Sequence, residues 1–365
     1  MSSLAVLGAG AGGTAATADL SRRGHDVRLW TRAESTLQPY RRAGGVRHEG
    51  VLGNSGIVAP SAMTTDLGEA LDGADAVVVC LPANAHAGVA RALADLRCSI
   101  PIVLNPGHTG GAIHVQQIFA ASGASLPPLA ELSTLSYVAR KHAADTVTVT
   151  GVAESLWGAC LPGGDEALGV AVALFPAVMR AADVLACDLA NVNLVLHPPG
   201  AILAAAWIEA TDGSFFFYTE GMTPSVVRVL RVLDEERLRV AAAFGHELPA
   251  LHEEMAAIGT ADRDAAARGD LRGAIATGEA NRSIAAPESL SHRYYVEDFG
   301  YGLVPFEALA KIAGVEIPVA RTLLTLGEAL LGRDLRAEGL TADKMGIADL
   351  DRDRLLELVG RRVSG

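Results

Sequence analysis

The segment Asn191-Val192-Asn193-Leu194-Val195-Leu196-His197-Pro198-Pro199 places Asn193 and His197 at i, i+4, on one face of a helix among apolar turns. An imidazole there has two fates, a hydrogen-bonded core residue or a general acid/base, because its ordinary pKa lies near neutrality. Pro198 and Pro199 each lack a backbone donor, so a bend or break of the helix is expected at His197. A second polar group, Ser291-His292-Arg293-Tyr294-Tyr295-Val296-Glu297-Asp298, interleaves charges with aromatic rings. It reads as packing under solvated charges or as a chemical cluster. Spacing alone does not bring Asp298 to His197.

The third group is glycine. Gly8-x-Gly10-x-x-Gly13 follows the apolar run Leu4–Leu7 directly and opens an Ala-rich stretch that stops at Gly24. Strand, tight turn and helix in that order give the dinucleotide fingerprint. The first glycine permits the turn, the second lets the backbone approach a pyrophosphate, and the third lets helix pack on strand. Free N–H groups at the helix start then meet the phosphate charge. The next strand, His25–Trp30, ends in Thr31-Arg32, with no acid to accept from a ribose 2′-hydroxyl. Thr31 can donate a hydrogen bond and Arg32 can pair with a 2′-phosphate, so NADP is expected, with NAD the other admissible cofactor. Pro82 and Asn105, just past the strands Ala76–Cys80 and Ile102–Leu104, complete the expected cofactor-binding set.

The elements that must carry these groups fall into two halves. Ala76–Cys80 is apolar throughout, as a strand buried on both faces should be, and helix His86–Leu96 leads to strand Ile102–Leu104. Further strand-like runs at Thr146–Thr150 and Leu156–Leu161 extend the pattern, which predicts an α/β Rossmann-type doubly wound parallel sheet. From about Cys187 the periodicity becomes helical, at 191–206, 226–244, 251–258, 306–312 and 319–331. Two domains are expected: a dinucleotide-binding domain over 1–186 and an all-α C-terminal domain over 187–365.

Composition excludes several functions. The 365 residues are 50% hydrophobic and 20% charged, which suits a packed core rather than a disordered chain. Thirty Lys plus Arg against 42 Asp plus Glu give a net charge of −12, which repels a nucleic-acid backbone. An acidic substrate must therefore be caught by local arginines. Cys80, Cys98, Cys160 and Cys187 are scattered without metal-ligand spacing, so no disulfide framework and no metal site are expected. The longest apolar runs fall short of the ~20 residues a membrane span needs. No basic leader precedes the first strand, so a cytoplasmic location without membrane partners is the expectation.

The ordered motifs resemble the octopine/nopaline (opine) dehydrogenase family. They are Gly8-x-Gly10-x-x-Gly13, Asn105-Pro106-Gly107-x-x-Gly110-Gly111, Asn191-x-Asn193-x-x-x-His197-Pro198, Glu220-Gly221-x-Thr223-Pro224-Ser225, and Arg293-Tyr294 through Glu297-Asp298 to Gly302-Leu303-Val304-Pro305. The chain is especially similar to bacterial members that act on neutral amino acids. The resemblance implies reduction of the imine formed between a 2-oxo acid and an amino acid, in a cleft between a Rossmann and a helical domain. It implies His197 as general acid/base, Asp298 as its carboxylate partner and Arg293 as a substrate-carboxylate clamp. Asn193 would orient the substrate or the nicotinamide amide, and Arg140 would be a second clamp. Thr31 departs from the pattern, since a bacterial member carries Asp there. His108 is a further departure, read as a loop residue near the cofactor. The aromatic run Ser214–Tyr218 is expected to line an apolar pocket or to belong to the core.

Two other readings share the two-domain plan or the cofactor. A ketopantoate reductase-like or glycerol-3-phosphate dehydrogenase-like enzyme would use a lysine, and Lys141, Lys311 and Lys344 all lie outside the motifs. A non-catalytic NADP-sensing protein would need neither His197 with Asp298 nor Arg293. A homodimer through an exposed face of the helical domain is compatible with the sequence.

Overall fold

The computed structural model describes residues 1–361, which divide into two compact units. Unit 1 comprises Met1–Gly107 and Val115–Arg180; unit 2 takes His108–His114 and the described residues from Ala181 on. The divide expected after Ala186 would cut helix Val184–Leu189, which Asp183 caps by accepting from the Ala186 N–H. A helix and its capping residue form one unit, so the boundary lies before them. His108–His114 join unit 2 because Thr109 donates to the Asp188 carbonyl and accepts from the Asn191 amide.

Among its described residues unit 1 has twelve strands: β1 Ser3–Leu7, β2 Asp26–Trp30, β3 Val46–Gly50, β4 Gly56–Val58, β5 Ala62–Thr64, β6 Ala76–Val79, β7 Ile102–Leu104, β8 Leu129–Leu132, β9 Tyr137–Ala143, β10 Thr146–Val152, β11 Leu156–Cys160 and β12 Val178–Arg180. The main sheet runs β12-β11-β8-β7-β6-β1-β2-β5. The strands flanking β1 pair with it in parallel, Leu4 opposite both Val27 and Ala76. Strands β1, β6 and β7 are buried nearly end to end, as their unbroken apolar runs require. The sheet order reverses direction at β1, the topological position where doubly wound sheets bind dinucleotides.

Two details depart from the all-parallel expectation. Strand β11 is antiparallel to β8, which makes the main sheet mixed. The run Thr146–Thr150 leaves that sheet altogether and forms a second one, β4-β3-β10-β9, with β9 antiparallel to β10. The residues explain it: Val147 and Val149 are buried while Thr148 and Thr150 are not, the alternation of a sheet with one wet face.

Unit 2 is helical, with Val192–Leu203, Pro224–Ala243, Val304–Ala313 and Pro318–Leu331 among its longer elements. Leu194, Val195, Leu230, Leu233, Phe306 and Leu324 are fully buried between them. Two buried charges there are held by several partners each. Arg237 donates to Asp234 and to the carbonyls of Leu189 and Pro249, while Glu236 accepts from the N–H groups of Val319 and Ala320 and so caps their helix. No single described helix is long and apolar enough to cross a membrane.

Candidate active site

Helix Val192–Leu203 carries His197. Asn191 starts it, its side chain accepting from the Asn193 N–H. The helix continues through Pro198 and Pro199, contrary to the expected break at His197. Gly200 follows them, and a Cβ there would lie 2.7 Å from the Phe217 ring, so only glycine lets this helix lie against that aromatic. Tyr295 donates to the Ala201 carbonyl at 2.7 Å and ties helix Arg293–Asp298 to the same segment. Burial pushes the Tyr295 phenol well above its usual pKa, so it remains a donor.

That tie brings the two ends of the dyad together. His197 Nδ1 lies 2.8 Å from Asp298 Oδ2, both side chains almost wholly buried. An ionised carboxylate only accepts, so the partner fixes the proton on Nδ1 and leaves Nε2 unprotonated in the neutral ring. Nε2 is met by the Tyr218 hydroxyl at 2.8 Å, and Tyr218 lies 3.1 Å from the Tyr294 hydroxyl. The Tyr294 ring also stacks on the imidazole at 3.8 Å between centroids, and Phe217 meets it edge-on at 6.3 Å.

A second histidine–carboxylate pair adjoins the first. His108 Nε2 sits 2.9 Å from Glu297 Oε1, both buried. The backbone of His108 has φ +65°, the left-handed region that costs a non-glycine residue about 1–3 kcal/mol. This side chain, read from sequence as a loop residue near the cofactor, is engaged by the residue next to Asp298. Glu297 is also 3.4 Å from Arg293 Nε, whose side chain is 52% exposed. Half in water, the guanidinium is open to an arriving carboxylate.

The other expected residues are placed as follows. Asn193 is half-buried on the His197 helix. Arg140 lies in unit 1, exposed on β9 with Nη1 turned to the Ala139 carbonyl. Sequence reasoning missed Tyr218, Tyr294 and Glu297. Tyr218 sits in the π-helical turn Phe217–Gly221, and Asp298 immediately precedes another, Phe299–Leu303. Such turns are rare and concentrate at functional sites. Their sequence trace is Glu220-Gly221-x-Thr223-Pro224: Glu220 accepts from the Phe216 N–H across the turn, and Thr223 with Pro224 starts the next helix. In the rest of the aromatic run Phe217 is buried and Phe215 stacks on Trp207, while Phe216 is exposed.

In unit 1 the glycine loop fits a dinucleotide. Gly8 has φ +123°, and a Cβ on it would lie 2.4 Å from the Cys80 carbonyl oxygen; one on Gly13 would lie 1.8 Å from the Gly8 oxygen. Gly10 is different: no atom lies within 4 Å of where its Cβ would be. Two glycines close the turn and one leaves room above it, the division of labour a pyrophosphate cradle needs. Helix Ala11–Arg22 then starts with no side-chain cap and no acid in its first turn. Asn105 Oδ1 accepts from the Ser136 N–H and hydroxyl, while its buried Nδ2 has no partner among the described residues, a donor still to be satisfied. Pro82 precedes helix Ala83–Asp95 at the end of β6. At the end of β2, Glu34 is paired with Arg41, whereas Arg32 is exposed.

Comparison with known proteins agrees with both halves. Residues 180–331 match the family model of the NAD/NADP octopine/nopaline dehydrogenase alpha-helical domain, and residues 3–105 that of the NAD-dependent glycerol-3-phosphate dehydrogenase N-terminus. An opine dehydrogenase of Arthrobacter sp. (strain 1C) is 33% identical over 349 residues, 95% of each chain. A glycerol-3-phosphate dehydrogenase [NAD(P)+] of Stenotrophomonas maltophilia (strain K279a) is 41% identical, but over 96 residues, covering 26% of this chain and 27% of that one. The fold matches a structure of octopine dehydrogenase with NADH and L-arginine at a TM-score of 0.76, 22% identity and full coverage of both chains. Of these two relatives the opine dehydrogenase spans both units, and the chain belongs to the opine dehydrogenase family, NAD(P)-dependent oxidoreductases acting on CH–NH donors.

Proposed function

We propose that the chain catalyses the NADPH-dependent reductive condensation of an L-amino acid with a 2-oxo acid to an N-(carboxyalkyl) amino acid, and the reverse oxidation. The buried His197–Asp298 contact carries this reading, because imine formation and reduction need a proton moved to and from the reacting atoms. When bound, the reduced nicotinamide supplies the hydride. His197 takes a proton from the substrate ammonium, which frees its lone pair to attack the 2-oxo carbon, and returns one to the departing carbinolamine hydroxyl. Asp298 stabilises the imidazolium in between. Arg293 is proposed as clamp for one substrate carboxylate and exposed Arg140 as the second, local positive charge in a chain of net −12. Asn193 is proposed to orient the substrate.

Unit 1 is proposed to hold the cofactor and unit 2 most of the substrate-binding residues. Gly8, Gly10, Gly13, Pro82 and Asn105 are proposed to hold the dinucleotide, and Thr31 with Arg32 the 2′-phosphate. The engagement of Glu34 by Arg41 and the exposure of Arg32 support NADPH over NADH. The test is a panel of amino acids with pyruvate, run with NADPH and with NADH and followed by nicotinamide absorbance. Turnover with at least one amino acid, faster with NADPH, is expected; oxidation of NADPH by pyruvate without an amine overturns the reading.

A further inference from the structure

The Arg293 side chain is tethered at one end and open at the other. It is half exposed, and its one hydrogen-bond or ion-pair contact among the described residues is that of Nε with Glu297 Oε2 at 3.4 Å. The terminal nitrogens Nη1 and Nη2 have no partner there. They form an edge that can meet a carboxylate through two parallel N–H···O bonds.

Glu297 is engaged on both oxygens. It lies one helical turn after Arg293 and is buried, and its Oε1 sits 2.9 Å from His108 Nε2. An ionised carboxylate only accepts, so Nε2–H donates to it. A carboxylate taken out of water needs a partner that stays in place, and a half-exposed guanidinium that exchanges ligands is a poor one. The buried His108 ring supplies that partner. It does so from a backbone at φ +65°, which a glycine would adopt freely and a histidine adopts under strain. Thr109 anchors the segment, donating to the Asp188 carbonyl and accepting from the amide of Asn191, the residue that starts the His197 helix.

We infer that Glu297 is the positioning residue of the Arg293 clamp, and that His108 holds Glu297 in that role. With Nε kept on Oε2, the guanidinium is oriented before a substrate arrives, and Nη1 and Nη2 stay together for its carboxylate. Less side-chain freedom is then lost on binding, which is the advantage of a preorganised site. Glu297 and His108 act through Arg293 and do not themselves touch the substrate. The inference deepens the opine reading and rests on it.

The test measures kcat and the KM of each substrate in R293A, E297Q, H108G/E297Q and R293A/E297Q, with an amino acid and 2-oxo acid pair that the wild type condenses. R293A identifies the carboxylate held, by raising one KM about 10²-fold. E297Q is expected to raise that same KM about tenfold, with the other KM and kcat within about threefold of wild type. R293A/E297Q should match R293A, because a residue that acts through another adds nothing once the other is gone. H108G/E297Q should match E297Q and keep the fold, since it strands no buried charge and gives the left-handed position to glycine. An E297Q enzyme whose KM is unchanged or lowered reveals a carboxylate that is idle or competes with the substrate, and overturns the inference. A loss of kcat alone, or KM losses that multiply in R293A/E297Q, mark packing beside Asp298 and overturn it too. Each of these outcomes leaves the opine reading standing. If R293A moves neither KM, the Arg293 clamp falls and the inference with it. A wild type that condenses no pair overturns the opine reading itself.

Discussion

The glycine loop of unit 1 and the His197 cluster of unit 2 solve opposite problems. The loop works through backbone and through side chains that are missing, all within Gly8–Gly13. The cluster works through side chains drawn from far apart: His197 is 21 residues from Tyr218 and 101 from Asp298. On the roles proposed, a substitution in the loop fails by collision, and one in the cluster by a proton that cannot move. The first should be read in stability and cofactor binding, the second in turnover.

The largest expected effect tests the cluster side. His197→Ala should lower turnover by about 10²–10⁴-fold, the usual worth of general acid/base help, with NADPH affinity within about threefold of wild type. Asp298→Asn should follow with a loss of about 10²-fold, since the amide can present an N–H to Nδ1 and so select the other tautomer. Single-turnover rates and fluorescence titration separate the two quantities. A variant that loses cofactor binding instead would erase the distinction between the two regions.

Next come two alanines in one loop. Gly13→Ala puts a methyl 1.8 Å from the Gly8 carbonyl oxygen and should cost unit 1 about 3 kcal/mol or more, seen as a lowered melting temperature. Gly10→Ala meets no atom within 4 Å and has φ −76°, so the fold should keep its stability. Its methyl fills the space left for a pyrophosphate, and NADPH affinity should fall about tenfold, or 1.4 kcal/mol. Unchanged affinity in Gly10→Ala would remove the cradle from this loop. At the end of β2, Thr31→Asp should shift the NADPH/NADH ratio of kcat/KM about tenfold toward NADH by offering a ribose acceptor and repelling the 2′-phosphate.

The same contrast explains what the amino-acid sequence made legible. Contiguous signals were readable: the glycine loop, the runs Ala76–Val79 and Ile102–Leu104, and helix Leu251–Ile258 all lie where their residues place them. Where two patterns competed, reading one of them misplaced the element. Thr146–Val152 alternates and so left the main sheet, and Pro198-Pro199 did not end the helix that carries His197. The motif residues His197 and Asp298 drew attention through resemblance, whereas their meeting depends on Tyr295 reaching Ala201, a contact no spacing encodes. Tyr218 looked like one ring in an aromatic run. Its phenol acquires meaning only when the π-helical turn sets it on Nε2.

The smallest expected effect also divides the two units. In unit 2 three of the four buried histidines, His108, His197 and His246, face a carboxylate. In unit 1, His48 on β3 is buried beside Arg22, 3.4 Å from its guanidinium, with Nδ1 lacking a partner among the described residues. Burial first, and the Arg22 charge second, lower its pKa below the ordinary 6.5. The unfolded chain then binds this proton at a higher pH than the folded one does. The stability His48 contributes is fully present above pH 6.5 and is lost as pH falls toward the folded value. His25 is lowered in the same direction, by burial and then Arg23. Melting of unit 1 should thus weaken with acid from about pH 6.5 downward, and His48→Gln, which cannot titrate, should flatten that slope without altering turnover. An equal slope in the variant would move the acid sensitivity away from His48.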